Sequence, residues 1–580
     1  MDESKMPTPT SIEEGMDKAE EVAMVKKSSA LREGDAQDYA SREIAEEVAM
    51  VKKSSALREG EAPDYAGREI VALLAQYVTV GFMIGSMQQM SYPIFIAYYH
   101  MEGSQFNAAT ALIGLGWSLK VFIGLVSDCF PMWGYRRKSY MIFGWICCGI
   151  CMLYLTLHDH GSPFYIDRSL DGTPISKLTP AQLATQVDIH AGRRGTFMAL
   201  ICAIATIAFV ISDVAADALV VEYAQREPEE VRGRLQSLVY SIRSVSCAFA
   251  TCTVGFCLNS PQYGGHFSWD IGMNGVFALL GVSNISVIPI TALFVVDQKR
   301  PPVPVRSYLG QFWRLVQKRA VWQVMIYSFL SSLMGSFITT TAAPYVKYNW
   351  AKVESINNAL TGVLGHLVLA VVLAATGRYG THWNWRYVIV VTTLSGAAID
   401  AVVQYLTIFD IVRNQWFYLG VPLTEQLPAG INWAVNLFVI VELAEDGNEG
   451  VVYGLLTTIG NLPAIFGSVI TNIYCSYFDV SSTDIKQDTP HVRKQVAYTY
   501  LVVYGTTIVS CLCVGMFPSQ KAAVAKLKAN GGSYPIVGGL VLAIALAILF
   551  LSIVASMLSM FEATACLVIA GGTGCSSHRR

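Results

Sequence analysis

From residue 69 onward, apolar runs alternate with short polar breaks, at 69–95, 107–127, 139–158, 196–224, 235–258, 271–296, 322–346, 356–377, 386–409, 416–443, 451–477 and 496–517. Most reach the ~20 residues that an α-helix needs to cross a ~30 Å hydrocarbon layer. Lipid offers the backbone no hydrogen-bond partner, so each run predicts a helix, and close neighbours accommodate the Gly and Pro that many of them hold. A thirteenth run at 535–560 follows the polar stretch SQKAAVAKLKANGG. The pattern is that of an all-α, polytopic membrane protein.

Residues 1–68 break the pattern. EEVAMVKKSSALREG at 20–34 recurs at 46–60, a tandem repeat of period 26. A stacked solenoid needs about three copies, so two charged copies predict a cytoplasmic tail with transient helices, and partner docking is its alternative use. The tail lacks a signal-peptide core, MDESKM lacks the myristoylation glycine, and CSSHRR at the other end does not fit a prenylation box. Between runs six and seven, SYLGQFWRLVQKR sets Tyr308, Leu309, Phe312, Trp313 and Val316 on one helical face, as in an interfacial amphipathic helix. This linker, 297–321, splits the membrane region into six-helix halves at 69–296 and 322–517, with 518–580 as an extension. Two such halves joined by a linker fit a major-facilitator transporter, a 6+6 fold that binds cargo between its halves near mid-membrane. Whether the extra C-terminal hydrophobic segment crosses the bilayer is left open by hydropathy.

Composition agrees. Of 580 residues 53% are hydrophobic and 14% charged, and 26 of the 84 charges fall in the first 68 positions. A net charge of −2 with no basic, aromatic-interleaved patch argues against nucleic-acid binding. The thirteen cysteines sit mostly in apolar runs; Cys147, Cys148 and Cys151 cluster without nearby His or acidic ligands, so neither a metal nor a cofactor is expected. With the amino terminus inside, the inner loops carry 17 Lys and Arg against 10 in the outer loops, which predicts a cytoplasmic amino terminus in a plasma-membrane protein.

A few polar residues interrupt the apolar runs. GLVSDCFPMWGYRRK, 124–138, sets Asp128 before Arg136, Arg137 and Lys138, the makings of a gate in which an acid and basic groups clasp neighbouring helices in one conformation. ISDVAADALVVEYA puts Asp213 and Asp217 on one face of helix four, with Glu222 nearer the cytoplasm. Lys120 on helix two and Arg243 on helix five lie well inside their runs, and Arg243 matches Asp213 in depth. Ionised groups there are costly unless paired or hydrated, so they face the bundle interior, either as a structural ion network or as cargo and proton handlers. Asp400 and Glu425 have no evident basic partner in the membrane and are candidates for proton coupling alongside Asp213. Glu425, Asn432 and Asn436 form one stripe on helix ten, which predicts pore lining, with helix glue as the alternative.

LKVFIGLVSDCFPMWGYRRKSY (119–140), SDVAADALVVE (212–222), GRLQSLVYSIRSV (233–245), EDGNEGVVYGLLTTIGN (445–461) and FPSQKAAVAKLK (517–528) together resemble the folate–biopterin transporter family, a branch of the major facilitators. The resemblance covers roughly residues 69–560. It departs at EDGNEG, which lacks a proline associated with that family, and in the thirteenth run. It implies import of folates and pterins, with protons, by alternating access. A carboxylate, Glu425 or Asp217, would accept the paired N–H groups of a pterin edge, and Trp117, Tyr240 and Trp433 would stack on its ring. Lys120 or Arg243 would face the anionic tail of folate; were both neutralised by Asp213 and Asp217, a neutral pterin would be the easier cargo. The competing readings are a facilitator for another organic anion or amino acid, and a transporter-like receptor signalling through the tail. An enzyme is disfavoured, since no nucleophile–base pair, phosphate loop or metal cluster is evident.

Overall fold

The computed structural model describes residues 63–101, 103–167, 170, 178–228, 231, 233–299, 301–443, 449–480, 482–561, 563–564 and 566–570. The tandem repeat and most of EDGNEG lie outside them. The chain divides into Pro63–Ala224 with Gly233–Arg580, which holds the helical bundle, and a separate unit of Met1–Ala62 with Gln225–Arg232.

Twelve helices among the described residues are long and apolar enough to cross a membrane. In chain order the spans are: one, Arg68–Ser91; two, the broken run Gly103–Ile113, Leu115–Ser118 and Lys120–Cys129; three, Lys138–Leu157; four, Ala191–Ala224; five, Arg234–Cys257; six, Gly272–Phe294; seven, Arg319–Ser332; eight, Ser355–Tyr379; nine, Trp385–Ile408; ten, Val421–Leu443; eleven, Glu449–Cys475; twelve, Pro490–Cys513; thirteen, Pro535–Met560. The expected run 322–346 leaves the helical path at Ile338 and resumes at Ala343–Tyr345. In span two, helical hydrogen bonding lapses around Gly114 and Leu119. Side chains of span eleven take up the freed backbone groups: the amide of Val121 donates to Thr458 Oγ1 at 2.9 Å, and Asn461 Nδ2 donates to the carbonyl of Trp117 at 3.3 Å.

Spans one to six pack among themselves, as do seven to twelve, and the two groups meet where span five lies against eight and span two against eleven. Glycines permit the tightest approaches. A side chain at Gly81 would start 2.4 Å from the carbonyl oxygen of Arg243, and one at Gly454 would start 3.2 Å from Cα of Val121. Span thirteen leans on spans two and eleven, and its root is tied to the linker helix, Val305–Gln317, by the amide of Tyr534 donating to Gln317 O at 2.8 Å. The linker helix buries Tyr308, Leu315 and Val316, while Leu309 and Trp313 of the expected apolar face stay exposed.

At the end of the bundle remote from the linker, spans nine and twelve are joined by charge. Arg413 Nη1 and Arg493 Nε reach Asp488 at 2.5 and 2.8 Å, and Arg493 also meets Asp410 at 3.1 Å. Hydrogen bonds from Arg413, and then from Arg493, hold the Asp488 carboxyl well below its ordinary range. A carboxyl depressed in the folded state adds stability that is complete above the unfolded value of about 3.9 and is lost as the pH falls through the folded value. Asp488→Asn is expected to lower the unfolding temperature of the detergent-purified protein at pH 7, and the gap from wild type should close as the pH drops below about 4. A gap that persists unchanged at pH 3 would remove this role.

Candidate functional site

The break in span two sets Lys120 at the first residue of a new helical segment, pointing into the seam between the two six-helix groups. Its Nζ donates to Asp213 Oδ2 and Asp217 Oδ2, both at 2.6 Å, and all three side chains are buried. Four-residue spacing on span four is what lets two carboxylates reach one ammonium. Asp217 Oδ1 accepts from the hydroxyls of Tyr77 on span one, at 2.6 Å, and Tyr240 on span five, at 2.9 Å. The Tyr240 hydroxyl also bonds that of Tyr453 on span eleven. The Tyr240 O–H is already donated to Asp217, so Tyr453 donates to the Tyr240 oxygen, and the chain of hydroxyls carries the network from one six-helix group into the other. Among the described residues, Asp213 Oδ1 is buried without a hydrogen-bond partner.

Arg243, expected to balance Asp213, makes no ion pair with it. Its guanidinium packs against two adjoining rings, 4.4 Å from the centre of Tyr240 and 4.5 Å from that of Trp433, which are themselves 5.0 Å apart, with Trp117 at 5.9 Å. Trp117 also covers Lys120 Nζ at 4.8 Å. Seven of the singled-out residues, Trp117, Lys120, Asp213, Asp217, Tyr240, Arg243 and Trp433, therefore converge, drawn from spans two, four and five of the first group and span ten of the second. Tyr77 and Tyr453 were missed: a lone tyrosine in an apolar run carries no sequence signal until its hydroxyl's partner is known.

The remaining candidates stand apart. On span ten Asn436 Nδ2 bonds the carbonyl and Oδ1 of Asn432 at 2.8 and 3.0 Å, and its Oδ1 accepts from Ser328 of span seven at 3.4 Å. Glu425, two to three turns away on the same face, is exposed and has no hydrogen-bond or ion-pair partner among the described residues; Lys347 and Asp400 lie within electrostatic reach. Asp400 accepts from Gln404 at 3.0 Å and Tyr504 at 2.9 Å, so it is held between spans nine and twelve rather than at the central cluster.

At the linker end, Arg137 Nη1 meets Asp128 at 2.7 Å and Nε lies 3.5 Å from Glu222 on span four. Asp128 Oδ2 also accepts from Tyr308 of the linker helix at 2.9 Å. Arg136 donates instead to Pro301 O at 3.0 Å, and Lys138 takes part through its backbone amide, which with that of Arg137 caps span three on Asp297 at 3.1 and 2.8 Å. Tyr308 and Asp297 were not anticipated; the first reads as one more apolar-face residue.

Two six-helix groups closing around buried charge define a membrane transporter of the major-facilitator fold. A solved D-xylose–proton symporter shares it with a TM-score of 0.52 at 12% identity, over 80% of this chain and 100% of that one. A family model described as the BT1 family matches residues 80–164 and 189–492, and the chain belongs to that family. Relatives include a "Folate-biopterin transporter" from Synechocystis sp., 23% identical over 65% of this chain and 69% of that protein, and a "Probable folate-biopterin transporter 2" from Arabidopsis thaliana, 21% identical over 66% and 71%. The protein is thus a transporter rather than an enzyme.

Removing the central cation tests what holds this cluster together. Lys120→Met leaves two carboxylates facing each other out of water and should cost about 3–5 kcal/mol in a denaturant titration of the purified protein. Adding Asp213→Asn and Asp217→Asn should recover part of the loss. An equally unstable triple variant would mean that packing, not charge balance, dominates.

Proposed function

We propose that this protein imports folate, pterins such as biopterin, or both, coupled to protons, by rocking the halves 69–296 and 322–517 about the central cluster. The observation that carries the reading is the convergence of Lys120, Asp213, Asp217 and Arg243 with Trp117, Tyr240 and Trp433 on the seam between the halves. Aromatic faces suit a flat heterocycle, carboxylates suit its N–H edge, and cations suit a carboxylate tail. The names of the relatives point to the same cargo.

In this reading the linker end faces the cytoplasm of a plasma-membrane protein, residues 1–68 form a cytoplasmic tail, and 518–580 an extension. Asp128, Arg137 and Glu222, with Tyr308, clasp spans two, three and four to the linker while the cytoplasmic side is closed. Arg136 and Lys138 flank the clasp. Asp213, Asp400 and Glu425 are the proton candidates, and Asn432 and Asn436 line the path.

Labelled folate, biopterin and an unrelated anion, offered to transport-deficient cells at two external pH values, test the cargo. Faster uptake of folate or biopterin at the lower pH is expected, and equal rates for all three remove the assignment. Asp213→Asn, Asp400→Asn and Glu425→Gln are to be compared singly; proton coupling through these residues fails if all three retain uphill, pH-sensitive uptake. For the clasp, Asp128→Asn should slow cycling several-fold while equilibrium binding is largely kept, and loss of binding in a folded variant would argue against it.

A further inference from the structure

The central cluster is formally neutral, with Lys120 and Arg243 against Asp213 and Asp217, yet its charges are not shared evenly. Both carboxylates are taken by Lys120. Arg243 is 7% exposed, and among the described residues its guanidinium has neither a hydrogen-bond acceptor nor an ion-pair partner. Tyr240 and Trp433 adjoin one another, their ring centres 5.0 Å apart, so they flank the guanidinium together and leave its N–H groups without an acceptor among the described residues. A guanidinium edge matches a carboxylate through two parallel N–H···O bonds, and it is far more selective for that shape than an ammonium.

A second open group lies in the same cluster. Asp213 Oδ1 is buried and has no donor among the described residues. The two vacancies are complementary in kind: a fork of donors at Arg243, and an acceptor at Asp213.

We propose that Arg243, beside Tyr240 and Trp433, is the carboxylate subsite of the central cluster, and that it makes the transporter select planar aromatic cargo bearing a carboxylate over cargo without one. The proposal rests on the transport reading above. Cargo with an aromatic ring, an amide N–H and a carboxylate, as in an N-aroyl amino acid, fills both vacancies and stacks beside Trp117. A neutral pterin satisfies the acceptor alone and leaves the buried guanidinium unpaired, which disfavours it. Lys120 holds the two carboxylates apart from this subsite and is structural in it.

The full chain in transport-deficient cells tests this through a ratio. For Arg243→Gln the KM for folate should rise at least about tenfold more than the KM for biopterin, the scale of one charged hydrogen-bonded contact. Arg243→Lys, which keeps the charge and loses the fork, should shift the ratio in the same direction by less, and it serves if Arg243→Gln does not fold. p-Aminobenzoylglutamate, which has the ring, amide and carboxylates but no pterin, should compete with folate in wild type and lose that competition in either variant. Equal losses for both cargoes, or no change in the ratio, overturn the subsite. If wild type moves neither cargo the transport reading falls instead, and binding then decides: p-aminobenzoylglutamate should raise the unfolding temperature of purified wild type and not of Arg243→Lys, and no shift in wild type overturns the proposal.

Discussion

A cation held out of water by two carboxylates is the constraint on which this molecule is organised. Span two is broken beside the buried Lys120, and side chains of span eleven satisfy the backbone groups that the break frees. The break brings Thr458 and Asn461 across the seam. The same ion cluster recruits the hydroxyls of Tyr77 and Tyr240, and through Tyr240 that of Tyr453. Charge burial in the first half thereby becomes contact with the second.

Two further consequences follow from taking both carboxylates for one lysine. Arg243 lies against ring faces and, among the described residues, has no acid within ion-pair distance, in a place where an unpaired cation is costly. At the linker end, the gate-like segment is anchored by Asp128, Arg137, Glu222 and Tyr308, four side chains from four elements. Each cluster reaches beyond the first half, the central one to Tyr453 and Trp433 of the second half and the other to Tyr308 of the linker. The charged lock at Asp488, by contrast, ties spans nine and twelve within one half.

Much of this was legible beforehand because hydrocarbon is an intolerant solvent. Apolar runs of about twenty residues admit only helices, and an ionised residue within one must face the interior, so the spans and the membership of Lys120, Asp213, Asp217 and Arg243 in a buried cluster follow from order and spacing. The aromatic candidates Trp117, Tyr240 and Trp433 came instead from the family resemblance, as rings that would stack on a pterin. Span two's interruption was not legible, since Gly114 and Gly116 look like the packing glycines common in such helices. For the linker helix, periodicity defines a stripe of apolar positions but not what covers each of them: Tyr308 and Val316 are buried, and Leu309 and Trp313 are exposed.

The sequence by itself determined the class of solvent, the number of helices, the six-plus-six division and the short roll of charges that would have to be buried together, because each of these depends on local composition or on spacing along one helix. Tertiary structure alone decided who pairs with whom. That Lys120 takes both carboxylates, that Arg243 is left to Tyr240 and Trp433, and that Tyr453 closes the circuit from the far half are matters of ångström-scale approach between spans distant in the chain. Such approach is set by helix packing and the close contacts at Gly81 and Gly454, and no one-dimensional pattern encodes it.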